Sequence, residues 1–505
     1  LKKQHIRHPK FLLLYSPLQF SPGELAKPDG SLSLAYLAGA LREAGYEVKI
    51  IDCSVGDESS DLQDTFFRTS PLASGLIRVG MSADSILKKA AEYDVIGVSS
   101  IFTPQTSMVL DLIKLIRLSF PEKLLITGGV NARSLRKRFF DSGVDLIALS
   151  EAERTIVQIA AALHNGDTLT AIPGIAWCNE QGLETVNPAG PATSNLDNLP
   201  VPAWDLLPLQ KYWDISRPHG GNFPAGKRIA YASLQTSRGC PFCCKYCHIS
   251  QEGEGSVTGN IRRYRTKSIE RVMRELDILK RLGTEYVYLE DDSLFAKKQR
   301  AYDLMKMVKE TGLELLDVNG INLCHLLVRD NSGYDLDYEF IEVLSEANVN
   351  FLTLPFESAS QRMIDKYASS KWHIDRLNTK QLFRTFESLG LKMSGNYMIG
   401  YPDETLDEIR NTLLMARRHI DEGMDYASLF AVVPFPGTDL FDMVIQNGQL
   451  DPNFDPDNMR WTRSILSGLA VDSETLEQMR QLAWLLINKT SYVSYKRKML
   501  VNETF

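Results

Sequence analysis

Ser237-Arg-Gly-Cys240-Pro-Phe-Cys243-Cys244-Lys-Tyr-Cys247 places Cys240, Cys244 and Cys247 at CxxxCxxC spacing, directly after a short apolar run over 229–234. Thiols this close together mark a metal centre, because so short a loop can wrap an ion or a cluster. Three ligands on a cluster with four iron sites leave one iron open to a substrate or cofactor. A structural zinc wants four closed ligands, normally as two CxxC pairs, and the chain has no second pair. Cys243 makes a CxxC of its own with Cys240, which suits a redox dithiol. The residues leave three readings, with the open cluster ahead of zinc and dithiol.

Outward from this loop, 505 residues are too many for one ordinary domain and predict two or three. A hydrophobic content of 44% with 24% charged residues is that of a globular protein. The net charge of −7 gives no reason to expect nucleic acid as a partner. Seven cysteines, four of them inside the quoted stretch, do not form a disulfide framework. Cys53, Cys178 and Cys324 are expected as small buried hydrophobes. No charged-then-apolar signal segment is present, and no apolar run approaches the ~20 residues of a membrane span. The expectation is a cytoplasmic protein with no membrane span.

Before the cysteines, strand-like apolar runs at 11–15, 47–51, 95–98, 124–127 and 146–149 alternate with helical patterns. Leu34, Leu37, Ala38 and Leu41 share one helical face, and Gly45 stands where that helix should stop. Such alternation predicts a doubly wound parallel sheet with its ligand site at the strands' carboxyl ends. Those ends carry Ser99-Ser100, Gly128-Gly129 and Ser150-Glu151. Glycines there let a ligand approach the backbone, and hydroxyls can bond to amides or phosphates; ordinary strand-end turns would look the same. No GxGxxG follows the first strand, which argues against a dinucleotide.

Residues 191–217 are rich in Pro, Asn and Trp and read as an ordered crossing between domains. From 230 onward, six candidate strands fall at 232–235, 286–289, 315–318, 351–356, 392–399 and 427–433, each expected to lead into a helix. The first such helix shows Ile269, Val272, Met273, Leu276 and Leu279 on one face. Six repeats predict a partial, open barrel with its chemistry at the strand ends. The basic run Arg262-Arg-Tyr-Arg265 reads either as a solvated helix entrance or as a holder of phosphate or carboxylate. After about 440 the chain reads as mostly helical, with a stripe of Leu476, Met479, Leu482, Leu485 and Leu486.

The CxxxCxxC, the β/α-rich half that it opens and the α/β domain before it resemble the cobalamin-dependent radical S-adenosylmethionine (radical SAM) enzymes, over nearly the whole chain. The resemblance is to their methyltransferase class, with a phosphonate C-methyltransferase flavour. It implies an α/β fold in four parts. These are a Rossmann-like cobalamin-binding domain (1–195), an interdomain linker (196–229), a partial (β/α)6 radical SAM barrel (230–440) and a helical cap (441–505). It implies a [4Fe–4S] cluster on Cys240, Cys244 and Cys247. S-adenosylmethionine would meet Tyr246 at its adenine, Glu290 and Asp291 at its amino group, Glu357 and Ser358 at its ribose, and Gly400 on the adenine side. Cobalamin would meet Ser99, Ser100, Thr103, Gly128, Gly129, Asn131 and Glu151. The DxHxxG motif is absent, leaving cobalt's lower face without a protein histidine.

The activity so implied is methyl transfer from S-adenosylmethionine, by way of methylcobalamin, to an unactivated carbon of a small natural-product or phosphonate-like molecule. A 5′-deoxyadenosyl radical and an external one-electron reductant of flavodoxin or ferredoxin type would take part. A non-methylating member of the class, performing ring contraction or oxidative cyclisation, would share these motifs, and a cofactor-binding sensor without turnover is a third reading. A methylthiotransferase acting on transfer RNA would need three further clustered cysteines in its N-terminal domain, where only Cys53 and Cys178 occur.

Overall fold

The computed structural model describes residues 5–501 apart from Asp29, His219, Gly221, Asn222, Pro224, Ala225, Val318, Asp330, Asn331 and Ser332. They form two compact units. The first comprises residues 1–218, 228–230 and 251–265, and the second comprises 219–227, 231–250 and 266–505. Residues 196–218 thus pack within the first unit, and the C-terminal helices within the second.

In the first unit every residue of Phe11–Tyr15 (β1) is buried, as a strand covered on both faces requires. Each fully buried Leu or Phe there contributes about 1.5–3 kcal/mol. Helix α1 (Leu32–Glu43) buries Leu34, Ala38 and Leu41, and Gly45 follows it at φ +84°, the left-handed turn that glycine adopts freely. Next come β2 (Val48–Asp52), β3 (Val95–Ser99), α2 (Thr106–Ser119), β4 (Leu124–Gly128), the short α3 (Val130–Ser134), β5 (Leu146–Ala148) and α4 (Glu153–Asn165). Strands β2, β1, β3, β4 and β5 lie in that order and pair in parallel. The first strand has neighbours on both sides, so the connections reverse direction there, the topology that places ligands at strand carboxyl ends.

The expected all-parallel sheet needs one correction. An antiparallel hairpin, β6 (Ile175–Cys178) and β7 (Glu184–Asn187), extends the sheet beyond β5. Glu184–Asn187 has little apolar content and no fully buried residue, as suits an edge strand.

The second unit is built on β8 (Tyr231–Leu234), β9 (Tyr286–Leu289), β10 (Glu314–Asp317), β11 (Val349–Glu357), β12 (Lys392–Ile399) and β13 (Tyr426–Ala431). All six pair in parallel in chain order. Val318, expected to end the third of these strands, lies outside the described residues. Connecting helices include α5 (Ile269–Arg281), α6 (Lys298–Val308), α7 (Tyr338–Glu346), α8 (Gln361–Tyr367), α9 (Thr379–Ser388) and α10 (Leu406–Asp421). α5 buries Val272, Leu276 and Leu279. Thr405 and Glu408 form a reciprocal capping box at the start of α10, which fixes the turn leaving β12.

The C-terminal part departs from the expected helical stripe. After α11 (Asp439–Gln446), residues 447–472 are irregular except for one 3₁₀ turn, and α12 (Ser473–Ile487) and α13 (Thr490–Val501) follow. On α12, Leu476 is fully buried whereas Leu482 is 58% and Leu486 72% exposed. The period was helical, but only part of that face has a partner within the unit.

Candidate active site

The cysteine loop leaves β8 and is held from its entrance. Asp291, just past β9 and 2% exposed, accepts from the Thr236 N–H at 3.1 Å, from the Thr236 hydroxyl at 2.8 Å and from the Ser237 hydroxyl. Arg300 donates to the Thr236 carbonyl at 3.0 Å and to the Lys267 carbonyl. Asp292 accepts the Gly239 N–H at 2.9 Å. Asp291, expected at the amino group of S-adenosylmethionine, is thus bonded to the loop through both of its oxygens. Its neighbour Glu290 is half-buried and accepts from the Ser233 hydroxyl at 2.9 Å.

None of Cys240, Cys244 and Cys247 is in a disulfide; Cys240 is buried and the other two are half-buried. Burial, with Cys244 nearby, pushes the Cys240 thiol up to about 11, and burial also raises Cys244. Binding a metal centre must therefore displace protons from them. Among the described residues no three His, Cys, Asp or Glu side chains converge as ligands of a single ion would.

A buried charged group stands beside these thiols. Glu357 ends β11 with φ +64°, at a register shift in the β11–β12 pairing. Such a backbone is strained for a residue other than glycine, and strain of this kind collects at functional sites. Its carboxylate accepts from Lys371 Nζ at 2.6 Å and from the Tyr246 hydroxyl at 2.8 Å. Both partners of the ion pair are only 6% exposed. Burial works to lower Lys371, but Glu357 and the thiols of Cys244 and Cys240 outweigh it and hold the ammonium above its ordinary value. Lys371 in turn pulls the Cys244 thiol down. Tyr246 and Glu357 were expected here. Lys371 was not, because it follows α8 with no motif to mark it.

The other expected contacts are placed as follows. Ser358 is fully buried, with its hydroxyl 3.2 Å from that of Thr412 and accepting the Ser360 N–H. Gly400, at φ +89°, donates its N–H to Glu404 at 2.7 Å, and a Cβ there would lie 2.4 Å from the Leu476 side chain. Both shape the strand ends through the protein itself. The eight histidines of the chain show no ligand spacing along the sequence. His325 nevertheless lies near the cysteine loop, its ring 6.0 Å from that of Phe242, with Nε2 buried and unbonded. Burial and Lys298 push it down to about 4, so it is neutral at physiological pH.

In the first unit, the ends of β3, β4 and β5 gather the residues expected to meet cobalamin. Asn131, fully buried, donates to the Ser100 hydroxyl at 2.9 Å and to the Thr106 hydroxyl at 3.1 Å, and Thr106 donates to the Thr103 carbonyl. A Cβ on Gly129 would lie 2.3 Å from the Ser100 carbonyl, and φ is +102°. These groups lock the loops, while Ser99 and Gly128 are half-buried, Gly129 is exposed and the Phe102 ring is 40% exposed. Accessible backbone and an exposed aromatic ring suit a flat apolar macrocycle fringed with amides. Glu151 pairs with both terminal nitrogens of Arg265 at 2.6 and 2.9 Å. Arg265 also donates to the Thr193 and Ile261 carbonyls, so the end of the basic run is an internal tie and not a phosphate holder. A pocket lined by Ser150, Glu151, Arg154, Gln158, Ala189 and Thr193 opens at the start of α4.

Comparison with known proteins accords with both halves of this description. Residues 30–160 match the B12 binding domain, and residues 234–416 match the radical SAM superfamily. The chain is 27% identical over 498 residues to the cytidylyl-2-hydroxyethylphosphonate methyltransferase of Streptomyces wedmorensis, covering 92% of this chain and 87% of that protein. Its fold is similar to that of the radical S-adenosylmethionine methyltransferase TsrM from Kitasatospora setae, solved with tryptophan and aza-SAM. The TM-score is 0.64 at 15% identity, over 89% of this chain and 82% of that one. It is also similar to the cobalamin-dependent radical enzyme OxsB, solved with aqua-cobalamin and S-adenosylmethionine. There the TM-score is 0.68 at 17% identity, over 98% and 70%. The cofactors of this pairing of domains are a [4Fe–4S] cluster, S-adenosylmethionine and cobalamin. The B12-binding and radical SAM segments together span more than half of the chain, which belongs to the cobalamin-dependent radical SAM enzymes.

Proposed function

We propose that the chain methylates an unactivated carbon of a small molecule, drawing the methyl group from S-adenosylmethionine by way of cobalamin. The observation that carries this reading is the buried Tyr246–Glu357–Lys371 group beside the thiols at CxxxCxxC spacing, in a chain that also has a B12-binding domain. When bound, the cofactors supply one-electron cleavage of a carbon–sulfur bond and a transferable methyl group.

The protein's own part is positioning. Cys240, Cys244 and Cys247 hold the cluster, and the Asp291–Arg300 contacts hold their loop. Lys371 offers a buried cation to a carboxylate, and Glu290 and Glu357 offer acceptors to an ammonium and to ribose hydroxyls. Tyr246 and the turn at Gly400 flank the adenine. Ser99, Gly128 and Gly129 present open backbone to cobalamin, on the Ser100–Thr103–Asn131 scaffold and beside Glu151. The functional division is 1–195 for cobalamin, 196–229 as connection, 230–440 for the radical chemistry and 441–505 as cap. A flavodoxin- or ferredoxin-type reductant supplies electrons in the cytoplasm. Among the described residues no helix is long and apolar enough to cross a membrane.

Natural-product and phosphonate-like acceptors are the first to try, because the Streptomyces wedmorensis relative is named for a cytidylylated phosphonate. The test is anaerobic incubation of the reconstituted protein with S-adenosylmethionine bearing a trideuterated methyl group and with cytidylyl-2-hydroxyethylphosphonate or related acceptors. A product heavier by the labelled methyl supports the reading. Cleavage of S-adenosylmethionine with no mass gain in a consumed acceptor would move the chain to ring contraction or oxidative cyclisation. No cleavage with any acceptor would leave a sensor.

A further inference from the structure

Residues 291–293 meet the loop that enters the cysteines in order. Asp291 takes Thr236 and Ser237, and Asp292 takes the Gly239 N–H. Ser293 comes next, against Cys240. It is 2% exposed, and its hydroxyl makes no regular hydrogen bond to any protein group among the described residues. A buried hydroxyl without a partner is costly and calls for an explanation. The side-chain group against that hydroxyl is the Cys240 sulfur. A sulfur carrying negative charge is a strong acceptor, and an iron-bound thiolate is such a sulfur.

We propose that Ser293 Oγ–H donates a hydrogen bond to the Cys240 sulfur when that thiolate is an iron ligand, and so raises the reduction potential of the cluster. The inference rests on reading Cys240 as a cluster ligand. Donors to the sulfurs favour the more negative, reduced cluster and are among the determinants of its potential. Ser293 is on this account a positioning and tuning residue, touching a ligand and not the substrate.

The test compares reconstituted wild type, Ser293→Ala, Ser293→Thr and Cys240→Ala. Iron is counted per chain, and the reduced cluster is followed by electron paramagnetic resonance through a redox titration. Ser293→Ala should keep its iron while the reduced-to-oxidised ratio at a fixed potential falls about tenfold, roughly 59 mV for one electron. Ser293→Thr should stay with wild type. In heavy water, a coupling to an exchangeable deuteron should vanish in Ser293→Ala alone. An unchanged potential and coupling in an iron-replete Ser293→Ala would overturn the proposal. Loss of iron in that variant would also overturn it, making the hydroxyl structural. A full cluster in Cys240→Ala would instead overturn the ligand reading on which it stands.

Discussion

Replacing Lys371 by Met removes one partner of a buried ion pair and leaves Glu357 inside the second unit with the Tyr246 hydroxyl as its remaining donor. Breaking such a pair costs about 3–5 kcal/mol, because the stranded charge loses both water and partner. Tyr246 retains one strong hydrogen bond, so the lower end, about 3 kcal/mol, is expected. Glu357→Gln should cost a similar amount by stranding the ammonium. The double variant Lys371→Met/Glu357→Gln has no buried charge and should fall within about 1 kcal/mol of wild type, giving a coupling of about 5 kcal/mol. The assay is urea denaturation of cofactor-free protein. Trp372, 3% exposed and donating to the Phe356 carbonyl at 3.2 Å, is the adjacent reporter. Lys371 is held above its ordinary pKa, so its contribution is complete below the unfolded value and is lost only as pH rises through the folded one. Neutral pH is therefore inside the stable window. Calorimetry should show S-adenosylmethionine binding lost in the double variant even though its fold is restored. A single Lys371→Met variant within about 1 kcal/mol of wild type would refute the reasoning.

Other consequences follow from the same geometry. Gly129→Ala drives a Cβ against the Ser100 carbonyl at a positive φ and should destabilise the first unit by at least about 2 kcal/mol. Gly128→Ala comes no nearer than 3.2 Å to any atom, the Ala148 Cβ, and should cost less; thermal unfolding with and without cobalamin checks both. Arg265→Met removes the bidentate partner of Glu151, which is 17% exposed, and the donor to two carbonyls, and should cost about 2–4 kcal/mol of that unit's stability in urea. Glu404 is pushed up to about 8, chiefly by burial. A raised carboxyl stabilises fully below its unfolded pKa and loses that contribution as pH rises to the folded one. Stability should therefore fall by about 1 kcal/mol between pH 7 and 8, and Glu404→Gln should flatten that slope. The histidines His325 and His419, lowered to about 4 and about 3 by burial, oppose it only below about pH 6.5.

What could be read from the sequence was local. CxxxCxxC lies in one loop, and Phe11–Tyr15 or Lys392–Ile399 announce strands by their own composition. What escaped depends on partners far along the chain. Lys371 meets Glu357 across an intervening helix, and Arg265 finds Glu151 from 114 positions away. Asp291 was correctly singled out as a strand-end carboxylate, but spacing alone does not reveal that the neighbouring strand's loop occupies it. Leu482 and Leu486 keep the helical period while lying exposed, since period reports a shared face and not burial. The edge hairpin was missed because Glu184–Asn187 has almost no apolar content to signal a strand.

The central claim is that one chain carries both a cluster on Cys240, Cys244 and Cys247 and a cobalamin. Its most direct test is metal analysis with optical and electron paramagnetic resonance spectra, on protein purified without oxygen from cells supplied with cobalamin. The account predicts about one [4Fe–4S] cluster and about one cobalamin per chain, with iron lost and cobalt retained in the Cys240→Ala/Cys244→Ala/Cys247→Ala variant. Iron retained in that variant, or cobalt absent from a wild type replete in iron, would contradict it.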